Sequence, residues 1–309
     1  MKGLSLFAGV GLFDRGMENA GYEITEAVEI DPKAVETYNK NNKLQIVPTD
    51  IKNYSAIGKE FDFVIGGFPC PSFSVASGQG KGLADPRGQL FFELVRIINE
   101  AKPKFFLLEN VRNILSVNDG QDWAVIKKEL ESLGYFIHHS VLSPHTHGNI
   151  PALRERVFIV GLKDNKPFQF PQPIPLTRTP FDLLDLTMKA EERFYIHSGQ
   201  ATYQRAYPAV SGKVYQLRRT CLRQNKRNLI PTITIQDKIV IRDWWGVRKL
   251  TPKELFMFQG ANNFIVPSAI TTGYTQVGNA VCVSVVERII PITYWNNLTE
   301  RTEIPIETP

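Results

Sequence analysis

Over its first 165 residues the chain alternates short apolar runs with helical patterns, and this alternation limits the possible fold more than any other feature. Apolar runs predict strands over Gly3–Phe7, Ile24–Ile30, Leu44–Val47, Phe61–Ile65, Lys104–Glu109, Tyr135–Leu142 and Val157–Leu162. The intervening spacing predicts helices over Leu12–Ala20, Pro32–Asn41, Leu90–Ala101 and Trp123–Leu133. Asp31-Pro32 is a start signal for the second helix, a capping carboxylate followed by proline at the first helical position. Strands alternating with helices imply βαβ units and a parallel sheet. Little but a loop joins the last two runs, which predicts an antiparallel pair at the sheet edge. The expected class is α/β, a mostly parallel seven-stranded sheet with that edge pair.

The alternation ends at Lys166–Pro175, where four prolines in ten residues read as a linker. Beyond it the periodicity is weak and mixed, so a small irregular domain is expected. Helical signals return at Thr251-Pro252-Lys253-Glu254, a capping pattern, and an apolar helix over Ala280–Ile290 is expected to end the fold. Charge singles out the middle segment. The chain carries a net charge of only +5, yet Arg193–Gln236 holds eight Lys or Arg residues and no acid. Tyr195, Tyr203, Tyr207 and Tyr215 are interleaved with them. An acid-free stretch of this length favours a polyanionic partner over a merely solvated face. No apolar stretch reaches the ~18 residues of a membrane span. The cysteines (Cys70, Cys221 and Cys282) are odd in number and form no C-x-x-C pair, which argues for a reducing cytoplasm. Cys221 and Cys282 read as small buried apolar residues. His145-Thr146-His147 has no Cys or acidic cluster beside it, so no metal is expected.

In a sheet of this kind ligands gather beyond the carboxyl ends of the strands. Phe7-Ala8-Gly9-Val10-Gly11 follows the first strand, with glycines where a ligand can approach the backbone and a helix N-terminus. The second strand ends at Glu29, 20 residues after Gly9, where a carboxylate can take hydrogen bonds from ribose hydroxyls. The third ends near Asp50-Ile51, placed to meet an adenine. A dinucleotide site would want a third glycine at position 14, which is Asp14. An adenosine cofactor without pyrophosphate fits better, which points to S-adenosylmethionine.

Cys70 follows the fourth strand, between Pro69 and Pro71. A thiol held on so stiff a turn beside a methyl donor makes sense as a nucleophile. The next strand, Phe105-Phe106-Leu107-Leu108, ends at once in Glu109-Asn110-Val111. That places at the same edge a carboxylate whose pKa burial should raise. Arg154 and Arg156 alternate at the start of another strand, where both can orient Glu109, hydrogen-bond a pyrimidine carbonyl and favour the thiolate.

FAGVG, PC followed by SFS, ENV, the R-x-R strand, RKLTPKE and QVGNAV stand in the order of the DNA cytosine-5 methyltransferases. Outside about residues 175–240 nearly the whole chain resembles that family, most of all the small bacterial restriction–modification enzymes. The resemblance implies a Rossmann-like, S-adenosylmethionine-dependent fold in which Cys70 adds to C6 of a cytosine and C5 takes the methyl group. S-adenosyl-L-homocysteine is the implied product. Glu109 would engage N3 and the exocyclic amine, with Arg154 and Arg156 beside it. The base would have to be rotated out of the duplex.

Expected cofactor contacts are Phe7, Ala8, Gly9, Gly11, Leu12, Glu29, Ile30, Asp50, Ile51, Pro69, Asn279 and Ala280. Gly78 through Gly88 would form a lid, with Ser74, Lys81 and Arg87 at the DNA. The basic segment falls in the family's target-recognition region. Arg218, Arg219, Arg223, Gln224, Asn225, Lys226 and Arg227 become candidates for phosphate and base-edge contacts. Thr232 and Thr234 resemble that region's recurring threonines. The implied division is a catalytic and cofactor-binding domain over 1–170, target recognition over 171–245, a bridge over 246–275 and a returning helix over 276–309. Pro71 and Ala152 depart from the family, which often has Gln at each place; neither change removes a reacting group. Double-stranded DNA is the expected partner of a bacterial cytoplasmic monomer, alongside a paired restriction endonuclease. The rivals are a tRNA cytosine-5 methyltransferase, a non-catalytic DNA-binding module and a nicotinamide-dependent dehydrogenase. The missing glycine and the Cys70–Glu109 pairing weigh against the last.

Overall fold

The computed structural model describes residues 1–69, 88–225, 227–236, 238–291 and 294. A six-stranded sheet forms its spine, from β1 (Lys2–Leu6), β2 (Glu23–Val28), β3 (Phe63–Gly66), β4 (Phe105–Val111), β5 (Phe136–Leu142) and β6 (Arg156–Leu162). The strand order is β2-β1-β3-β4-β6-β5. The first four strands are parallel, and β6 runs antiparallel to both β4 and β5. The helices of this region are α1 (Leu12–Asn19), α2 (Pro32–Asn41), α3 (Leu90–Ala101), α4 (Gln121–Ser132) and the single turn α5 (Pro144–His147).

β4 shows why the sheet takes helices on both faces. Phe105 and Leu107 join one apolar cluster with Phe63, Ile65 and, from α1, Phe13 and Met17. Phe106 and Leu108 point the other way, to Phe91, Leu94, Ile97 and Ile98 of α3 and Ile126 and Leu130 of α4. Continuous apolar strands are the mark of a sheet buried on both faces. Each such side chain contributes about 2 kcal/mol when buried. The start of α2 is capped as the sequence predicts: Asp31 accepts from Lys33 N, with Pro32 at the first position.

The predicted third strand, Leu44–Val47, is absent, which leaves six strands in place of seven. Ile46 N bonds to the Asn39 side chain, Val47 is 72% exposed, and Pro48 has no N–H to offer a ladder. Thr49 N, which bonds to Glu29 O at 2.7 Å, fastens the end of this segment beside β2. The expected irregular domain instead contains an ordered antiparallel sheet, β10-β9-β7-β8. Its strands are β7 (Val214–Leu217), β8 (Leu222–Gln224), β9 (Ile239–Arg242) and β10 (Val247–Lys249), preceded by the turn α6 (Tyr203–Ala206). On β9, Ile239 and Ile241 join the cluster of the first sheet, whereas Val240 joins Ile196, Ala206, Ala209 and Val247 on the far side.

α7 (Pro252–Met257) starts with the predicted capping box, Thr251 Oγ1 accepting from Glu254 N and Glu254 accepting from Thr251 N. The predicted helix over Ala280–Ile290 is broken up. α8 (Ile270–Asn279) ends at an extended Ala280, and only the turn α9 (Val283–Val286) follows. Val283 N bonds to Gln259 O instead of a residue one turn back. Ala280 to Val283 are all buried, and a run that is apolar on every side carries no helical phase.

Candidate active site

Strand register brings the site together. Val28, Leu6, Gly66 and Leu108 lie level across β2, β1, β3 and β4. The residues immediately beyond that row are Glu29, Phe7, Gly67 and Glu109. The chain order reverses between β1 and β3, where an open α/β sheet forms its ligand crevice. At ~4.8 Å per strand, the row from Glu29 to Glu109 spans about 14 Å.

The turn after β1 is built to be approached. Phe7 (φ 55°), Gly9 (φ 56°) and Gly11 (φ 83°) are all left-handed. For a bulky residue such as Phe7 that conformation costs about 1 kcal/mol, a strain that gathers at functional sites. A side chain at Gly9 would meet nothing closer than Phe7 O at 4.0 Å, so the space over this glycine is open. Glu29 Oε2 accepts from Gly9 N at 2.8 Å, and its Oε1 accepts from Asp31 N at 2.9 Å. Each oxygen keeps a lone pair for a hydroxyl, so these residues fit an adenosine-type ligand. Leu12 and Ile51 are buried, Ile30 is exposed, and Asp50 caps a short turn by accepting from Lys52 N. Ala8 and Ala280 are buried, Pro69 is partly buried, and Asn279 is exposed at the end of α8.

Glu109 is the first residue of β4 beyond the β3 ladder, and its side chain lies over the bare Cα of Gly67, where a Cβ would sit 3.5 Å from Oε2. Arg156 pairs with Val111 and Glu109 with Phe158, so both charged side chains share one face. Arg156 Nε stands 2.8 Å from Glu109 Oε1. Burial pushes the Glu109 carboxyl above its ordinary range, and Arg156 and then Arg154 oppose that shift. Arg154 takes a different place from Arg156. It precedes β6, is buried, and donates to Ile233 O at 3.0 Å and Gly278 O at 2.9 Å. It thereby staples the segment before β9 to the end of α8. A Cβ on Gly278 would come within 2.6 Å of Ile235 N, so the staple needs glycine there.

Arg218, Arg219, Arg223, Gln224 and Arg227 are exposed along β8 and its flanking turns, and Asn225 is half-buried. Cys221, expected to be buried, is exposed in the turn joining β7 to β8; Cys282 is buried. Cys70, Ser74, Lys81, Arg87, Lys226 and most of the expected lid lie outside the described residues. Among the described residues no group of three or more His, Cys, Asp or Glu could hold a metal.

Sequence reasoning missed two contributors. Asn110 is buried and donates from Nδ2 to Phe68 O at 3.2 Å, tying the end of β4 to the stretch that leads into Cys70. Its place in the ENV block was the available signal. Arg248, buried to 1% exposure, is held by Asp243 at 2.6 Å and Glu254 at 2.7 Å, joining β10 to α7. Arg248 and Glu254 open and close the RKLTPKE block, which was the available signal, whereas Asp243 lies outside it.

The family model for C-5 cytosine-specific DNA methylases matches residues 1–292. The chain is 41% identical to the Type II methyltransferase M.Bsp6I of Bacillus sp. (strain RFL6), over 95% of this chain and 98% of that protein. It is 31% identical to the Type II methyltransferase M.NgoBI of Neisseria gonorrhoeae, over 93% and 90%. In shape it is similar to the methyltransferase EhMeth of Entamoeba histolytica, with a TM-score of 0.73 at 18% identity over 96% and 98% of the two chains.

Proposed function

Because the chain belongs to the family of C-5 cytosine-specific DNA methylases, we propose that it methylates C5 of a cytosine rotated out of a specific duplex sequence. We read it as the modification enzyme of a restriction–modification pair. The observation that carries this reading is the row Glu29, Phe7, Gly67 and Glu109 at one sheet edge. It sets a nucleoside-type turn beside a buried carboxyl and the stretch leading to Cys70.

S-adenosylmethionine, the family's donor, supplies an electrophilic methyl group when bound. Gly9 with its open backbone face, Glu29 toward ribose hydroxyls, and Asp50 with Ile51 toward the adenine would hold the donor. Cys70, as thiolate, adds to C6 of the cytosine and moves electron density to C5, where the methyl group is taken. Burial favours the neutral form of Glu109, the form that can donate to N3 while its other oxygen accepts from the exocyclic amine. Arg156 fixes that carboxyl in place. A solvent-borne base then takes the C5 proton, and the C–H electrons re-form the 5,6 double bond as the C6–S bond breaks and the thiolate leaves. Lys and Arg of the second sheet, with Ser74, Lys81 and Arg87, hold the duplex.

The test is methyl transfer from labelled S-adenosylmethionine to duplex DNA or to tRNA, followed by digestion to nucleosides. Label is expected in 5-methyldeoxycytidine from DNA. Label only in tRNA, or on another atom of cytosine, contradicts the proposal.

A further inference from the structure

α3 grips the turn over residues 51–56 from outside. Arg96 Nη2 donates to Ile51 O at 2.9 Å and to Tyr54 O at 3.1 Å. Its Nε is held by Glu93 at 2.8 Å and its Nη1 by Glu100 at 2.6 Å. The other oxygen of Glu100 accepts from Ala56 N at 2.8 Å and Ser55 Oγ at 3.0 Å. Two side chains one helical turn apart thus make four hydrogen bonds to a single short turn.

The helix has little need of this grip. Phe91, Leu94, Ile97 and Ile98 already bury its inner face, and the half-exposed ion pairs of Arg96 with Glu93 and Glu100 add little to that. The turn gains far more. Ile51–Asn53 is one 3-10 turn capped by Asp50, and Lys52 and Asn53 are exposed. The guanidinium fork therefore sets where the Ile51 backbone sits, two residues beyond the Thr49 N that bonds to Glu29 O. Charge-assisted bonds to both carbonyls hold that position before any ligand arrives.

We propose that Arg96, locked by Glu93 and Glu100, is a positioning residue for the adenine end of the cofactor, holding Asp50 and Ile51 in place without touching the ligand. This rests on the reading that S-adenosylmethionine binds at that turn. A purely structural residue would lower activity and stability together. A positioning residue at the adenine end should separate cofactor affinity from the chemistry.

The experiment measures S-adenosyl-L-homocysteine binding by calorimetry, and steady-state kinetics, for wild type, Arg96→Met and Arg96→Lys. For Arg96→Met the Kd and the KM for S-adenosylmethionine should rise about tenfold, the scale of a lost charged hydrogen bond. Its kcat and its KM for DNA should stay within about twofold of wild type. Arg96→Lys, which keeps the charge and one donor, should lose less. Unchanged cofactor affinity, or an equal fall in kcat and DNA affinity, overturns the proposal. Should Arg96→Met fail to fold, Glu100→Gln weakens the same grip and must show the same split. A wild type that binds no S-adenosyl-L-homocysteine refutes the cofactor reading itself. A wild type that binds it, with variants binding equally, refutes only the role of Arg96.

Discussion

Asp14 stands where a dinucleotide-binding turn would want glycine, and its carboxylate fills the space beneath the turn. It is buried to 1% exposure and accepts from Ser5 Oγ at 2.6 Å and from Tyr38 OH at 2.7 Å. Burial raises its pKa from 3.8 to about 6, against the pull of those two hydroxyls. A carboxyl with a raised folded-state pKa contributes stability that is fully present below its unfolded value and is lost as pH rises through about 6. The shift is equivalent to about 3 kcal/mol. Asp14→Asn keeps a neutral partner for both hydroxyls and removes the titration. Between pH 4 and pH 7.5, wild type should lose up to about 3 kcal/mol of stability relative to Asp14→Asn. Urea unfolding of both proteins across that range checks it. A stability difference independent of pH would show that Asp14 is not the titrating group.

At the scale of elements, what could be read in the sequence was what local pattern encodes. The two-sided apolar runs of β3 and β4, the Asp31-Pro32 start of α2 and the Thr251–Glu254 capping box are short-range signals, and the fold repeats them. Glu109 was legible for the same reason, as a carboxylate directly following a buried apolar run, although β4 itself continues to Val111. Arg154 was half legible. Alternation with Arg156 predicts a shared face, but β6 begins only at Arg156, and Arg154 turns to the carbonyls of Ile233 and Gly278. Those partners lie 79 and 124 residues away, beyond the reach of any periodicity. Leu44–Val47 and Ala280–Ile290 misled because apolar composition says nothing of backbone partners, and in the first run only Ile46 is buried while Val47 is exposed. In the first segment the Asn39 side chain bonds both the N–H and the carbonyl of Ile46, and in the second Val283 N turns to Gln259 O, in place of the regular pattern.

Across the whole molecule, the proposed catalytic edge and the basic surface belong to different sheets that meet through one apolar cluster. Among the described residues, links between them include the bridge between Ala152 and Ile230 and the bond from Arg154 to Ile233 O. The proposed division therefore predicts that replacing residues 193–236 with the matching segment of a relative changes which DNA sequence is methylated and leaves kcat largely intact. Sequencing that reads 5-methylcytosine in DNA from expressing cells would show this, and unaltered specificity would place recognition elsewhere. The central claim, attack by Cys70 on C6, is tested most directly by covalent capture. Duplex DNA made with 5-fluorocytosine cannot lose a proton from C5, so the thiol has no way to leave after methylation. With S-adenosylmethionine present, mass spectrometry of the digested complex should find the DNA joined to the peptide carrying Cys70, and no joined product from Cys70→Ala. Methylated cytosine formed on ordinary DNA without any linkage to Cys70 on the fluorinated duplex, or a linkage at another residue, would contradict the account.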